Sequence, residues 1–135
     1  SDLIFAELHQ IHFKCTVVQT EKFRSDIVSI KLIINNLLSN AFKYQKTDNT
    51  DKRVNIDIHL NNGIATIIVE DNGIGIDESD VGKIFDLHYR SASHKDGFGF
   101  GLFNLKGALM KLNGQIDVQS TLGKGTKIKV SLPSL

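Results

Sequence analysis

The sequence predicts an α+β fold, a two-layer sandwich in which a mixed, mainly antiparallel sheet carries its helices on one face. Three observations lead there. Apolar residues recur at three- and four-residue spacing over residues 26–44 and again over 101–112. They alternate singly over residues 54–71 and 116–132. Each alternating stretch is broken once by a turn sequence, so its strands come as hairpins, whereas helical segments separate the hairpins.

Taken in order, the N-terminal segment reads as a short helix over residues 2–11 and a strand over 13–18. The long helix runs from Asp26 to about Tyr44, with Ser25 or Asp26 capping its first turn. Ile30, Ile33, Ile34, Leu37, Leu38 and Ala41 form its apolar stripe. Residues 45–53 are polar and read as a loop. Val54, Ile56, Ile58 and Leu60 then alternate with Asn55, Asp57 and His59, the pattern of a half-buried strand. Asn61-Asn62-Gly63 supplies a hairpin turn, because Asn and Gly accept positive φ. On the return strand, residues 64–71, Ala65, Ile67, Val69 and Asp71 share a face, so Asp71 points the same way as core residues. Residues 77–96 form a second polar loop. Gly101 opens the next helix, buried through Leu102, Leu105, Ala108, Leu109 and Leu112 and ended by Asn113-Gly114. In the closing hairpin Ile116 and Val118 alternate with polar neighbours, residues 122–125 turn, and Thr126, Ile128, Val130 and Leu132 face inward while Lys127, Lys129 and Ser131 face water.

Composition narrows the class. At 135 residues, net charge +1, 41% hydrophobic and 23% charged, the chain fits one soluble globular domain over residues 1–135, neither a disordered tail nor a membrane span. The one cysteine, Cys15, allows no internal disulfide and no thiolate zinc cluster. The near-neutral charge argues against nucleic acid as a partner, since phosphate binding needs a concentrated basic face. A first residue of Ser1 with no signal-like stretch reads as a piece of a longer protein. Eleven glycines stand against one proline, and most of them fall between Gly73 and Gly101.

Three groups of residues carry chemistry. Asn36, Asn40 and Lys43 stand four and three residues apart on the long helix, a polar stripe beside the apolar one, with Tyr44 at its border. An Asn oxygen is a hard ligand suited to Mg²⁺, a Lys can meet a phosphate, and an aromatic can stack on a base. Taken alone, the stripe reads first as an ordinary solvated helix face. Asp71-Asn72-Gly73-Ile74-Gly75-Ile76 tips the balance: a carboxylate among core residues needs a donor, such as the exocyclic amine of a purine, and two glycines let backbone approach a ligand. A strand-ending turn capped by Asp71 is the plainer alternative. Gly97-Phe98-Gly99-Phe100-Gly101-Leu102 runs into a helix start whose free N–H groups suit an anion, although a simple hinge has the same composition. A dinucleotide-binding turn is excluded by spacing and context, and no P-loop sequence occurs.

The order Asn36-x-x-x-Asn40, Asp71-x-Gly73-x-Gly75, Phe85, Gly97-x-Gly99-x-Gly101, Gly125-Thr126 resembles the N, G1, F, G2 and G3 boxes of the GHKL ATP-binding superfamily. Residues 36–44 look like the N box of bacterial two-component sensor histidine kinases. The resemblance covers residues 26–133 and implies the ATP-binding catalytic domain of such a kinase, with a Bergerat-type fold and ATP and Mg²⁺ as cofactors. It implies that Asn40 ligates Mg²⁺, Asn36 supports metal and phosphates, Lys43 contacts phosphate and Tyr44 lies against adenine. Asp71 would accept from the adenine amine, with Thr126 joining through water and Gly73, Gly75 and Ile76 beside the base. A lid over about residues 77–100 would be anchored by Phe85 and carry Arg90 to the γ-phosphate, while Gly97, Gly99, Gly101 and Leu102 face phosphate. Hydrolysing relatives have Glu where Asn36 stands, a general base that an amide cannot replace, so the resemblance implies phosphotransfer.

The chain departs from the family in Leu87-His88-Tyr89-Arg90 after Phe85, in Leu32, and in lacking a phosphoacceptor sequence around His9. The acceptor histidine is therefore expected on a dimerising helical domain upstream of Ser1, with a response regulator as indirect downstream partner. The domain itself is expected in the cytoplasm and without membrane contact, whether or not its parent is anchored in the inner membrane. A non-catalytic nucleotide-sensing module and an anti-sigma-type serine kinase share the same boxes.

Overall fold

The long helix starts where its cap is strongest. Asp26 has extended backbone (φ −78°, ψ 110°) and accepts from the Val28 N–H at 3.2 Å and the Ser29 hydroxyl at 2.9 Å. From there the apolar stripe carries the chain through α1 (Ile27–Lys43), which buries Ile33, Leu37, Ala41 and Phe42. The computed structural model describes residues 10–84 and 102–135. Around α1 stand β1 (His12–Gln19), β2 (Arg53–Asn61), β3 (Ile64–Asp71), a 3₁₀ helix (Glu78–Lys83), α2 (Phe103–Lys111), β4 (Gln115–Thr121) and β5 (Gly125–Pro133).

The five strands form one sheet in the order β1-β2-β3-β5-β4. β1 pairs parallel with β2, which the crossover through α1 allows, and the remaining pairs are antiparallel. Register sets Ile67 opposite Val130 and Ile56 opposite Val69 beneath the helices, with Val54 and Leu132 in the flanking rows, and all six are at most 2% exposed. Phe42 of α1 closes the β1 side through an edge-to-face contact with Phe13, ring centroids 5.4 Å apart. α2 lies beside α1, tied to it by Lys111, whose ammonium is 2.7 Å from the Asp26 carboxylate. That hydrogen bond, then the one from Ser29, holds the Asp26 carboxyl below its ordinary range. α2 ends as expected: Asn113 adopts φ 55°, the Gly114 N–H donates to Leu109 at 2.7 Å and the Asn113 N–H to Met110 at 3.3 Å. No helix among the described residues is long and apolar enough to cross a membrane.

Three boundaries differ from the sequence reading. Residues 1–9 of the expected first helix lie outside the described residues, and Gln10 and Ile11 are not helical. Gln10 sits at φ 55°, which a right-handed helix cannot continue, and Ile11 is buried at the entry to β1. Within the polar stretch after residue 77, Glu78–Lys83 forms a 3₁₀ helix, nucleated by Asp77, whose carboxylate accepts from Ser79 N–H and Oγ at 3.0 and 2.9 Å. α2 begins at Phe103, with Leu102 as N-cap and no side-chain cap bond.

Candidate functional site

β3 ends at Asp71, directly opposite Thr126 of β5, which in turn lies opposite Ser120 of β4. The three polar side chains thus continue, at one end of the sheet, the face that elsewhere carries the core. Burial pushes the Asp71 carboxyl up to about 7; the Gly73 N–H, donating to Oδ1 at 2.8 Å, and the Thr126 backbone pull it down, and Glu70 adds a smaller upward push. Asp71, Thr126, Asn40 and Tyr44 are the polar wall of a narrow cavity of about 10 Å³ between α1 and the sheet, whose apolar wall is Leu37, Ala41, Val69, Ile76 and Ile128, with Gly75 at its side. That volume holds about one water, so a ring system enters only as the walls part.

The loop after Asp71 is fixed from three sides. Ile74 N–H donates to the Tyr44 carbonyl at 2.9 Å, Gly123 N–H to the Ile74 carbonyl at 2.6 Å, and Ile76 N–H to Ser120 Oγ at 2.7 Å. Asn72 faces away from the cavity: its Oδ1 accepts from Arg53 N–H at 2.8 Å and its Nδ2 donates to the Asp51 carbonyl at 2.6 Å, which ties the loop to the start of β2. The two glycines of the motif are required by backbone packing. A Cβ on Gly73 would stand 2.2 Å from the Tyr44 carbonyl oxygen, and one on Gly75, itself at φ 76°, 2.2 Å from that of Thr121. Gly75→Ala should therefore cost roughly 3 kcal/mol or more in urea unfolding, whereas Gly82→Ala, with open space around its Cβ, should shift stability by less than about 1 kcal/mol.

On α1, Asn36 and Asn40 are half-buried and Lys43 is exposed. Asn36 commits its amide nitrogen to the Leu32 carbonyl at 2.8 Å, which leaves its oxygen for a ligand. Among the described residues, the buried Nδ2 of the Asn40 carboxamide has no partner. A half-turn about its side chain exchanges donor and acceptor, so Asn40 is the polar group of this wall whose hydrogen bonding a ligand would complete. Tyr44 caps α1 with its N–H on the Asn40 carbonyl and lines the cavity. Ile76 and Leu102 are almost wholly buried. Phe85, Arg90, Gly97, Gly99 and Gly101 lie outside the described residues, as does the expected lid beyond residue 84.

Sequence reasoning did not single out Ser120 or Lys46. Ser120 continues the inward alternation of Ile116 and Val118, the one signal that could have found it. The Lys46 ammonium reaches the Gly123 carbonyl at 2.6 Å, an approach between segments 77 residues apart in sequence that no local pattern announces.

A helix layer on one face of this sheet, with a largely buried carboxyl and a buried amide meeting between the layers, defines a two-layer α/β sandwich with a polar cavity between its layers. The chain belongs to the family of histidine kinase-, DNA gyrase B- and HSP90-like ATPases, whose model matches residues 25–135. It is 36% identical over 115 residues to the sensor protein RprX of Bacteroides fragilis, covering 82% of this chain and 22% of RprX. With a probable C4-dicarboxylate sensor kinase of Bacillus subtilis it shares 32% over 105 residues, 77% of this chain and 19% of that protein. The chain thus spans about a fifth of the length of these relatives. Among solved structures, the mycobacterial sensor histidine kinase MprB superposes with a TM-score of 0.79 at 26% identity, covering 98% of this chain and 91% of that one. The expected α+β sandwich is the architecture these domains share.

Proposed function

We propose that the chain binds Mg²⁺-ATP between α1 and the β3–β5 end of the sheet and passes the γ-phosphoryl group to a histidine on a separate helical domain of the same signalling protein. The observation that carries this reading is the Asp71 carboxyl, largely buried beside Thr126, whose donors among the described residues are backbone N–H groups. A desolvated acceptor at the bottom of an apolar slot is matched by a flat ring bearing an N–H edge, and the family to which the chain belongs is one of ATPases. Family membership, and the sensor-kinase names of its relatives, support the transfer step.

In this reading the base lies on Ile76 and Ile128, with Asp71 accepting from its amine and Tyr44 along its edge. The triphosphate extends past Asn40 toward Asn36 and Lys43. The oxygens of Asn40 and Asn36 are the hard donors that would hold Mg²⁺, which when bound neutralises phosphate charge and orients the terminal group. The incoming imidazole nitrogen bonds to the γ-phosphorus as the bond to the bridging oxygen breaks, and ADP leaves. Asn36 offers no base to activate water, which favours transfer over hydrolysis. Residues 77–100, with Arg90, are assigned to a lid over the phosphates. The reading places the domain in the cytoplasm, with a response regulator receiving the phosphoryl group afterwards.

Asn40→Ala should lower transfer to an added histidine-bearing helical domain by about a hundredfold, ~3 kcal/mol in the barrier, with a far smaller effect on thermal stability. Autoradiography of the acceptor, with acid lability identifying phosphohistidine, measures it. A wild-type rate in Asn40→Ala removes Asn40 from the metal site, and an acid-stable product points to a serine kinase instead.

A further inference from the structure

Ser120 makes three hydrogen bonds with a group that has one proton. Its Oγ lies 2.7 Å from the Ile76 N–H, 2.9 Å from the Gly125 carbonyl oxygen and 2.8 Å from Thr126 Oγ1. The amide can only donate and the carbonyl can only accept. A hydroxyl offers one donor and two acceptor sites, so all three contacts are satisfied in one arrangement: Ser120 donates to Gly125 and accepts from both Ile76 and Thr126. The alternative, with Ser120 donating to Thr126, leaves its oxygen facing the Gly125 carbonyl at 2.9 Å without a proton between them. The Thr126 proton is therefore spent on Ser120. Thr126 is 8% exposed and lines the narrow cavity, and what its oxygen can turn toward a ligand is lone pairs. Ser120 lines a separate open cleft of about 760 Å³ beside the 3₁₀ helix, so it acts through Thr126.

We propose that Ser120 is a positioning residue for nucleobase choice: it holds the Thr126 hydroxyl as an acceptor, so the cavity floor takes a base edge bearing an exocyclic amine and refuses one bearing a carbonyl. The proposal rests on the nucleotide reading above and adds to it the group that sets the polarity of the site. Asp71, when ionised, is likewise an acceptor, so the floor presents two acceptors side by side, directly or through a shared water.

The test compares ATP with inosine triphosphate, in which a carbonyl replaces the amine, by calorimetry on the 135-residue chain with Mg²⁺. The wild type should prefer ATP. Ser120→Ala frees the Thr126 hydroxyl to donate and should lower that preference by about tenfold. Ser120→Thr, which keeps the hydroxyl, should retain it. In a Thr126→Val background Ser120→Ala should leave the preference unchanged, because there is no hydroxyl left to orient; a merely structural Ser120 would shift both backgrounds equally. Should Ser120→Ala fail to fold, Thr126→Val carries the test, since it removes the acceptor and keeps the Ile76 and Gly125 bonds; an undiminished preference in it overturns the proposal. A wild type that binds no ATP sinks the nucleotide reading and this proposal with it. A wild type that prefers ATP with the same preference in Ser120→Ala sinks this proposal alone.

Discussion

Asp71→Asn should weaken Mg²⁺-ATP binding by a factor on the order of a thousand while leaving the fold intact. The effect is large because the substitution reverses the polarity of one atom where water cannot compensate. Asp71 accepts from Gly73 through Oδ1 at 2.8 Å, a bond that the carbonyl end of Asn can also make. The other end would then present an NH₂ to the base amine, two donors facing each other in a desolvated slot, and both lose their partners. Stability should rise rather than fall at neutral pH, since Asn is isosteric with the neutral carboxyl that burial favours and has no charge to bury. Calorimetry, with thermal melts on the same samples, separates the two effects. ATP affinity within a few-fold of wild type would remove Asp71 from the base-binding site.

How much of this was legible beforehand follows the range of the interactions. α1 and its cap are local: Asp26 meets Val28 and Ser29, and the stripe from Ile33 to Ala41 repeats within the helix itself. The inward direction of Asp71 and Thr126 follows from a period of two, which needs only the strand they stand on. The sequence also suggested that Gly73 and Gly75 sit beside a ligand, and here local reasoning reached its limit. What excludes a side chain at these positions is backbone from Tyr44 and Thr121, dozens of residues away in the chain. The same holds for Ser120: a serine in a half-buried strand is unremarkable until the register sets it against Thr126 and the loop folds Ile76 onto it. The edge position of β1 was equally hidden. Its parallel pairing with β2 puts Val17 on the helix side of the sheet, yet 57% exposed among the described residues, so its alternation was too weak to mark a covered face.

The second large effect is a dependence on pH that runs opposite to that of most carboxylates. In the unfolded chain Asp71 titrates near 3.8, and in the fold near 7. Between these values the folded state holds a proton that the unfolded state has lost, so raising the pH favours unfolding. The contribution of Asp71 is fully present below about pH 4 and falls away by pH 7, a loss on the order of 4 kcal/mol at most. Asp26 and Asp77, both held below their ordinary range by hydrogen bonds, act in the other direction and weaken the fold as pH drops toward 3. The Asp71 effect is therefore isolated by subtraction: urea unfolding of wild type minus Asp71→Asn, from pH 4 to 8, should decline with pH, and a flat difference would show the carboxyl is not desolvated. ATP binding should mirror this. A base amine needs the ionised carboxylate, so nucleotide binding below pH 7 must expel the proton, and affinity should fall by about tenfold per pH unit as the pH drops from 7 to 5. Calorimetry at pH 6 in buffers of different ionisation enthalpy should find close to one proton released per ATP bound. No proton release at pH 6, with ATP bound normally, would mean that the base meets Asp71 in its neutral form or does not meet it at all.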